Sequence, residues 1–179
     1  MNTSVEKIEL EVRRLVVPIP TDYDETIALY ERLVPPLDAE RFGQMANWDA
    51  VLELAQINAP HGFMIYWRTN VTSIMAGSGT GWKSTAYLMG NHTIAEQMAR
   101  YDPSVMLHAP LRTLIYADQA GDTQFVIDQP SSLFSSYGNE RIAAVGKHLD
   151  ELVAGLLERM GAPVPGELRH PAGESVAQA

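Results

Sequence analysis

Apolar and charged residues alternate near the start of the chain. Ile8, Leu10 and Val12 are separated by Glu9 and Glu11 and followed by Arg13, the period-2 pattern of a half-buried strand. The phase then changes, because Leu15 and Val17 are apolar on the other parity. That change predicts a bulge or bend near Arg13–Arg14. Pro18 and Pro20 end the strand, and Thr21 and Asp22 are placed to cap a helix. Its first turn holds Asp24 and Glu25, where the helix dipole favours carboxylates. Tyr23, Ile27, Tyr30 and Val34 form its apolar stripe, and Pro35-Pro36 stops it. A short helix is predicted from Trp48 to about Ile57, capped by Asn47, with Trp48, Val51, Leu52 and Ala55 on its apolar side.

Two strands follow. Phe63 to Thr72 puts Phe63, Ile65 and Trp67 on one face and Met64, Tyr66 and Arg68 on the other. The glycine-rich loop Ala76–Gly81 leads into the second, Trp82 to Met89. Gly90-Asn91 ends that strand and caps a helix carrying Ile94, Met98 and Tyr101, which Asp102-Pro103 breaks. Leu111–Ala117 and Thr123–Asp128 flank the turn Asp118–Asp122, a hairpin signal. The last helix repeats Ile142, Val145, Leu149, Leu152, Val153, Leu156 and Met160 at three or four, with Asn139 as cap and Gly161 and Pro163 beyond its end. Hairpins outnumber βαβ units, so the prediction is an α+β fold. Its sheet is mixed or antiparallel, of about five strands, with helices packed on one face. One domain is expected over residues 1–161, with 35–61 as an inserted helical segment and 162–179 as a flexible tail.

Composition narrows the function classes. The chain has 179 residues, 46% of them hydrophobic, enough for a core without metal or disulfide staples. There is no cysteine, which excludes disulfides, thiolate metal sites and a cysteine nucleophile. Thirteen Lys+Arg against 22 Asp+Glu leave a net charge of −9. Nucleic acid and anionic membrane are therefore not expected partners, since both select a basic surface. No apolar run approaches the roughly 20 residues of a membrane span, no export signal is read, and a cytoplasmic location is the expectation.

The candidate chemistry is sparse. Gly77-Ser78-Gly79-Thr80-Gly81-Trp82-Lys83-Ser84 fails the phosphate-loop spacing, because Trp82 intervenes before the lysine, and the loop leads into a strand. No cofactor is expected. The five histidines lack metal-ligand spacing, and Ser131, Ser132, Ser135 and Ser136 read as local hydrogen-bonders. From Leu54 to Ala95 no Asp or Glu occurs, while Arg68 and Lys83 stand among Tyr66, Trp67 and Trp82. That stretch suits an apolar ligand with negative charge, or two central strands that are simply buried. Asn91 and His92 open a helix, where free amides attract anions and the dipole keeps an imidazole neutral. In the hairpin, residues whose numbers sum to 240 face each other. This pairs Leu114 with Val126 and Ile115 with Phe125, and sets Arg112 against Asp128 as an ion pair or part of a site.

Several short motifs, in this order, resemble one family. They are Leu88-Met89-Gly90-Asn91-His92-x-Ile94-Ala95, Asp102-Pro103, Ala109-Pro110-Leu111-Arg112, and Asp128-x-Pro130-Ser131-Ser132-Leu133-Phe134. The chain is identified on them as similar to the domain of unknown function 302 family. The resemblance implies a fold like that of the TATA-binding protein, often a homodimer, and no established activity. The family often has proline where this chain has His92.

Three readings follow. The leading one is a small-molecule-binding domain for a largely apolar, anionic or aromatic ligand, with Tyr66, Trp67, Arg68, Trp82, Lys83 and Asn91 as binding residues. The second is a cofactor-independent isomerase, cyclase or lyase. There His92 or His108 is the base, Arg112 or Lys83 stabilises negative charge, and Asp128 pairs with Arg112. The third is a structural or interaction module, which would show a flat apolar face in place of a cavity.

Overall fold

The computed structural model describes residues 4–79 and 81–170. Five strands, β1 (Arg14–Ile19), β2 (Met64–Asn70), β3 (Lys83–Gly90), β4 (Leu111–Ala117) and β5 (Thr123–Asp128), form one sheet in the order β1-β5-β4-β3-β2. Every neighbouring pair is antiparallel. The helices are α1 (Tyr23–Leu33), α2 (Ala39–Gly43), α3 (Trp48–Asn58), α4 (Val71–Ile74), α5 (His92–Ala99), α6 (Pro130–Phe134) and α7 (Glu140–Arg159). This is the expected α+β architecture. Among the described residues no helix is long and apolar enough to cross a membrane.

The caps follow the sequence. Asp22, Asn47, Asn91 and Asn139 each accept a backbone N–H in the first turn of α1, α3, α5 and α7, satisfying donors that a helix start leaves unpaired. The hairpin register is the expected one, with Thr113 opposite Ile127 and Ile115 opposite Phe125. Those residues are buried and meet the helices, while Arg112, Leu114 and Tyr116 face outward. On the inner face Tyr30 of α1 is fully buried between Tyr87 and Phe125, with ring centroids at 4.7 and 6.0 Å. Its hydroxyl donates to the Met89 sulfur at 3.1 Å, and burial pushes its pKa far up.

Three expectations differ from the structure. β1 begins at Arg14, and residues 4–13 form no strand. The parity change between Val12 and Leu15 is thus a strand boundary rather than a bulge. The bulge lies in β2 instead, where the register shifts between Ile65 and Trp67 and Tyr66 is the extra residue. Lastly, the expected loose tail packs as far as His170. Leu168 is fully buried, Arg169 pairs with Glu158 at 3.1 Å, and the His170 ring lies 2.8 Å from Asp150. Residues 171–179 of that tail lie outside the described residues. Asp150 is itself buried and also accepts from the Ser131 amide at 2.9 Å and the Gln129 side chain at 2.8 Å, so the segment closes a polar network that a buried carboxylate requires.

Candidate functional site

The site is built where β3 ends. Gly90 and Asn91 carry the chain from β3 into α5, and Asn91 is fully employed there. It accepts the Thr93 amide at 3.0 Å and the Thr93 hydroxyl at 2.7 Å, and donates to the Gly62 carbonyl at 3.2 Å. Gly90 allows a close approach: a Cβ there would stand 3.2 Å from Cβ and 3.3 Å from Cα of Pro110. The Ala109-Pro110 peptide is cis.

These segments enclose a cavity of about 200 Å³. Ile94, Ala95 and Met98 of α5, Met106, Ala109, Pro110, Leu111, Phe134 of α6 and Leu149 of α7 supply its apolar wall. Tyr66, Asn91 and His92 supply the polar end. Tyr66 reaches it because the bulge takes one residue out of the alternation and re-aims its side chain. The Tyr66 hydroxyl oxygen accepts the His92 backbone N–H at 2.9 Å and lies 2.7 Å from His92 Nδ1. The oxygen keeps a second acceptor position beside that amide, so the contact forms either with the tyrosine hydrogen on Nδ1 or with Nδ1–H donating to the oxygen. In either tautomer Nε2 has no hydrogen-bond partner among the described residues, and with the tyrosine donating to Nδ1 it is an N–H donor. Phe42, from α2, stands edge-on to the His92 ring at 4.5 Å. Burial holds the His92 pKa below its ordinary value and pushes the Tyr66 hydroxyl up. The site thus presents one unpartnered nitrogen of a neutral imidazole at the end of an apolar chamber, which in the tautomer with Nε2–H is able to hold a hydrogen-bond acceptor on a small hydrophobic body. Among the described residues no cluster of three His, Asp or Glu side chains is placed to hold a metal ion.

Of the residues singled out in the sequence, Tyr66, Asn91 and His92 line this cavity, and the others lie elsewhere. Trp67 is half-exposed on the outer face of the sheet, opposite Leu88. Trp82 stands beside Tyr116 at 6.0 Å. The Arg68 guanidinium donates to Glu31 at 2.6 Å, and Lys83 donates to Asp24 at 2.8 Å. Both carboxylates come from α1, so the stretch without acids along the chain is neutralised in space by the acidic edge of that helix. Tyr87 donates to the same Glu31 oxygen at 2.9 Å. His108 packs edge-on against Phe134 and Tyr137 at 6.3 and 6.1 Å, next to the cavity wall. The Arg112–Asp128 pair does not form: Asp128 accepts two hydrogen bonds from Arg14 of β1, at 2.7 and 3.2 Å, because β5 lies between β1 and β4 and its acid is taken from the other side. Ser132 and Ser136 donate locally to the Gln129 and Leu133 carbonyls, as expected. The wall residues Met106 and Leu149 carried no separate signal, and Ala109, Pro110, Leu111 and Phe134 were marked only as members of the motifs that carry the resemblance. The Ile94 and Met98 stripe also pointed to this side.

An antiparallel α+β layer with one small apolar chamber at a strand-to-helix junction is therefore the class that fold and site define. The chain belongs to the family described as Domain of unknown function DUF302, whose model matches residues 44–160. That span takes in α3, part of the segment read as an insertion. Among solved structures the chain is similar to the crystal structure of an uncharacterized conserved protein DUF302 from Bacillus stearothermophilus. Identity is 17% and the TM-score 0.61, and the match covers 82% of this chain and 97% of that one. At this identity the likeness concerns the fold. No curated protein gives a significant match.

Proposed function

We propose that the protein binds a small, uncharged, largely apolar molecule in the chamber between α5, α6 and the cis Ala109-Pro110 segment, with His92 donating to an acceptor atom on it. The observation that carries this reading is the make-up of the wall: apolar on all sides, with the Tyr66–His92 pair as its polar end and no lysine or arginine. An anion there would be desolvated without a counter-charge, at a cost of several kcal/mol. A neutral aromatic or aliphatic alcohol, ketone or ester meets no such penalty. This narrows the wider expectation of an anionic or aromatic ligand.

The test is methyl NMR of Met98 and Met106 during titration with phenol and hexanol, and with benzoate and hexanoate as charged counterparts. Saturable shifts at both methyls with the neutral probes are expected, and Ala95→Trp, which fills the chamber, should abolish them. Shifts from the carboxylates alone, or none at these methyls, would overturn the reading.

The Tyr66–His92 hydrogen bond favours a second reading, acid–base chemistry on the same molecule. With the tyrosine hydrogen on Nδ1, His92 is a proton donor and Tyr66 lies behind it, a polarising arrangement for a carbonyl oxygen. His108 and Arg112 do not line the chamber, so such chemistry rests on His92 and Tyr66.

A further inference from the structure

The chamber has an open side. Met106 lines it and is nevertheless 50% exposed, so the wall is incomplete there. Met106 belongs to the helical turn Pro103–Leu107 that follows α5. That turn is held firmly: Val105 is fully buried, Asp102 accepts the Ser104 amide at 2.8 Å, and the Tyr137 hydroxyl donates to the Ser104 carbonyl at 3.0 Å. Apolar surface continues outward along α5. Ile94 and Met98 form its stripe in the chamber wall, and Tyr101 follows Met98 by three residues, the spacing of one helix face. The Tyr101 amide still donates to the Met98 carbonyl at 2.9 Å, and the residue is 45% exposed. The Arg141 guanidinium, 5.7 Å from the Tyr101 ring, ends the apolar path. Helix rise sets Tyr101 about 14 Å along the axis from His92.

We infer, taking the chamber as the binding site proposed above, that the ligand is a neutral single-chain amphiphile longer than the chamber, with its polar head at His92 and its tail leaving past Met106 towards Tyr101. Volume carries the length. A protein cavity of about 150 Å³ takes benzene, with its six carbons, so on the same scale one of about 200 Å³ holds about eight non-hydrogen atoms. A molecule of that size leaves Met106 and Tyr101 wet. A longer chain covers both, and removal of apolar surface from water is the source of affinity. Polarity carries the direction. His92 Nε2 has no hydrogen-bond partner among the described residues. A hydroxyl head both donates and accepts, so it pairs with that nitrogen in either tautomer. A chain bound the other way round sets hydrocarbon against it and leaves it unpaired, which is costly in an apolar chamber.

Titration of the full chain with butanol, hexanol, octanol and decanol, followed at the Met98 methyl, tests this. Affinity is expected to rise about fourfold per methylene up to octanol. Decanol should bind at least about threefold tighter than octanol, since its last methylenes are only partly covered. Tyr101→Ser should remove that last gain and leave hexanol unchanged. Ile74→Ser should alter neither, because Ile74, 71% exposed, lies in α4 beyond the opposite end of β2. Decanol should shift both the His92 Nε2 resonance and the Tyr101 ring protons, and hexanol only the former. If Tyr101→Ser loses its circular dichroism, the Tyr101 ring shifts in the wild type decide. Affinity that levels off or falls after octanol overturns the inference, as does decanol that leaves Nε2 or the Tyr101 ring unmoved, while hexanol binding stands. Hexanol that fails to shift Met98 at all overturns the chamber as the binding site, and the inference with it.

Discussion

Tyr66 and His92 are placed by two local irregularities, a bulge and a helix start, and their chemistry follows from that placement. The His92 pKa is lowered by burial, so the folded protein holds the neutral ring more tightly than the unfolded chain does. Stability from this group is fully present above the ordinary value of about 6.5. It falls as pH drops from there through the lower folded value, because the unfolded state takes up the proton first. A pH titration of the His92 ring by NMR should give a midpoint below 6.5, with the ¹⁵N shifts of an Nε2–H tautomer at pH 7. Affinity for a neutral ligand should be flat above pH 7. Tyr66→Phe removes a bond to Nδ1 and the acceptor of the His92 amide. Urea unfolding should register a loss of about 1–3 kcal/mol, the scale for a partly buried polar group left unpaired.

At the scale of elements, α1 decides the fate of both cations in β2 and β3. Its residues Asp24 and Glu31 lie on the edge facing Lys83 and Arg68. Those pairs are partly exposed, so each contributes little to stability. Arg68→Ala should cost at most about 1 kcal/mol and leave ligand shifts at Met98 and Met106 unchanged; a loss of those shifts would place the ligand against β2. The segment after α7 has the opposite character. Leu168 is fully buried, and Leu168→Ala should destabilise by about 2–5 kcal/mol in urea. Truncation after Gly161 should cost more, since it also strips Asp150 of His170. An unchanged melting temperature on truncation would show that the segment is merely laid on the surface. Its sequence, three prolines and two glycines in 162–179, gave little sign of this, because one buried leucine and one histidine are too few for a periodic signal.

For the whole molecule, the excess of nine negative charges acts against the compact state through self-repulsion. Salt should relieve it. Raising sodium chloride from about 20 to 200 mM is expected to lift the melting temperature by roughly 1–3 °C as the Debye length contracts. A fall would mean that pairs such as Arg14–Asp128 and Lys83–Asp24 outweigh the net charge.

The sequence alone determined the strands β2 to β5, the long helix α7, the four side-chain caps and the hairpin register. Each is written in local periodicity or in a turn of fixed length, where neighbours along the chain are also neighbours in space. It also marked His92, Asn91 and Tyr66. What only the tertiary structure decided depends on elements distant in sequence. Strand order gave Asp128 to Arg14 and left Arg112 without an ion pair among the described residues. α1 crossed the inner face and brought carboxylates to Arg68 and Lys83, cancelling a charge gap that is real along the chain. The bulge at Tyr66 moved Trp67 to the outside by changing parity for every later residue of β2, since side chains alternate with period two. The chamber itself arises where α5, α6, α7 and the Ala109-Pro110 segment meet, and a void has no sequence pattern of its own: its lining residues are apolar for the same reason as the core around it.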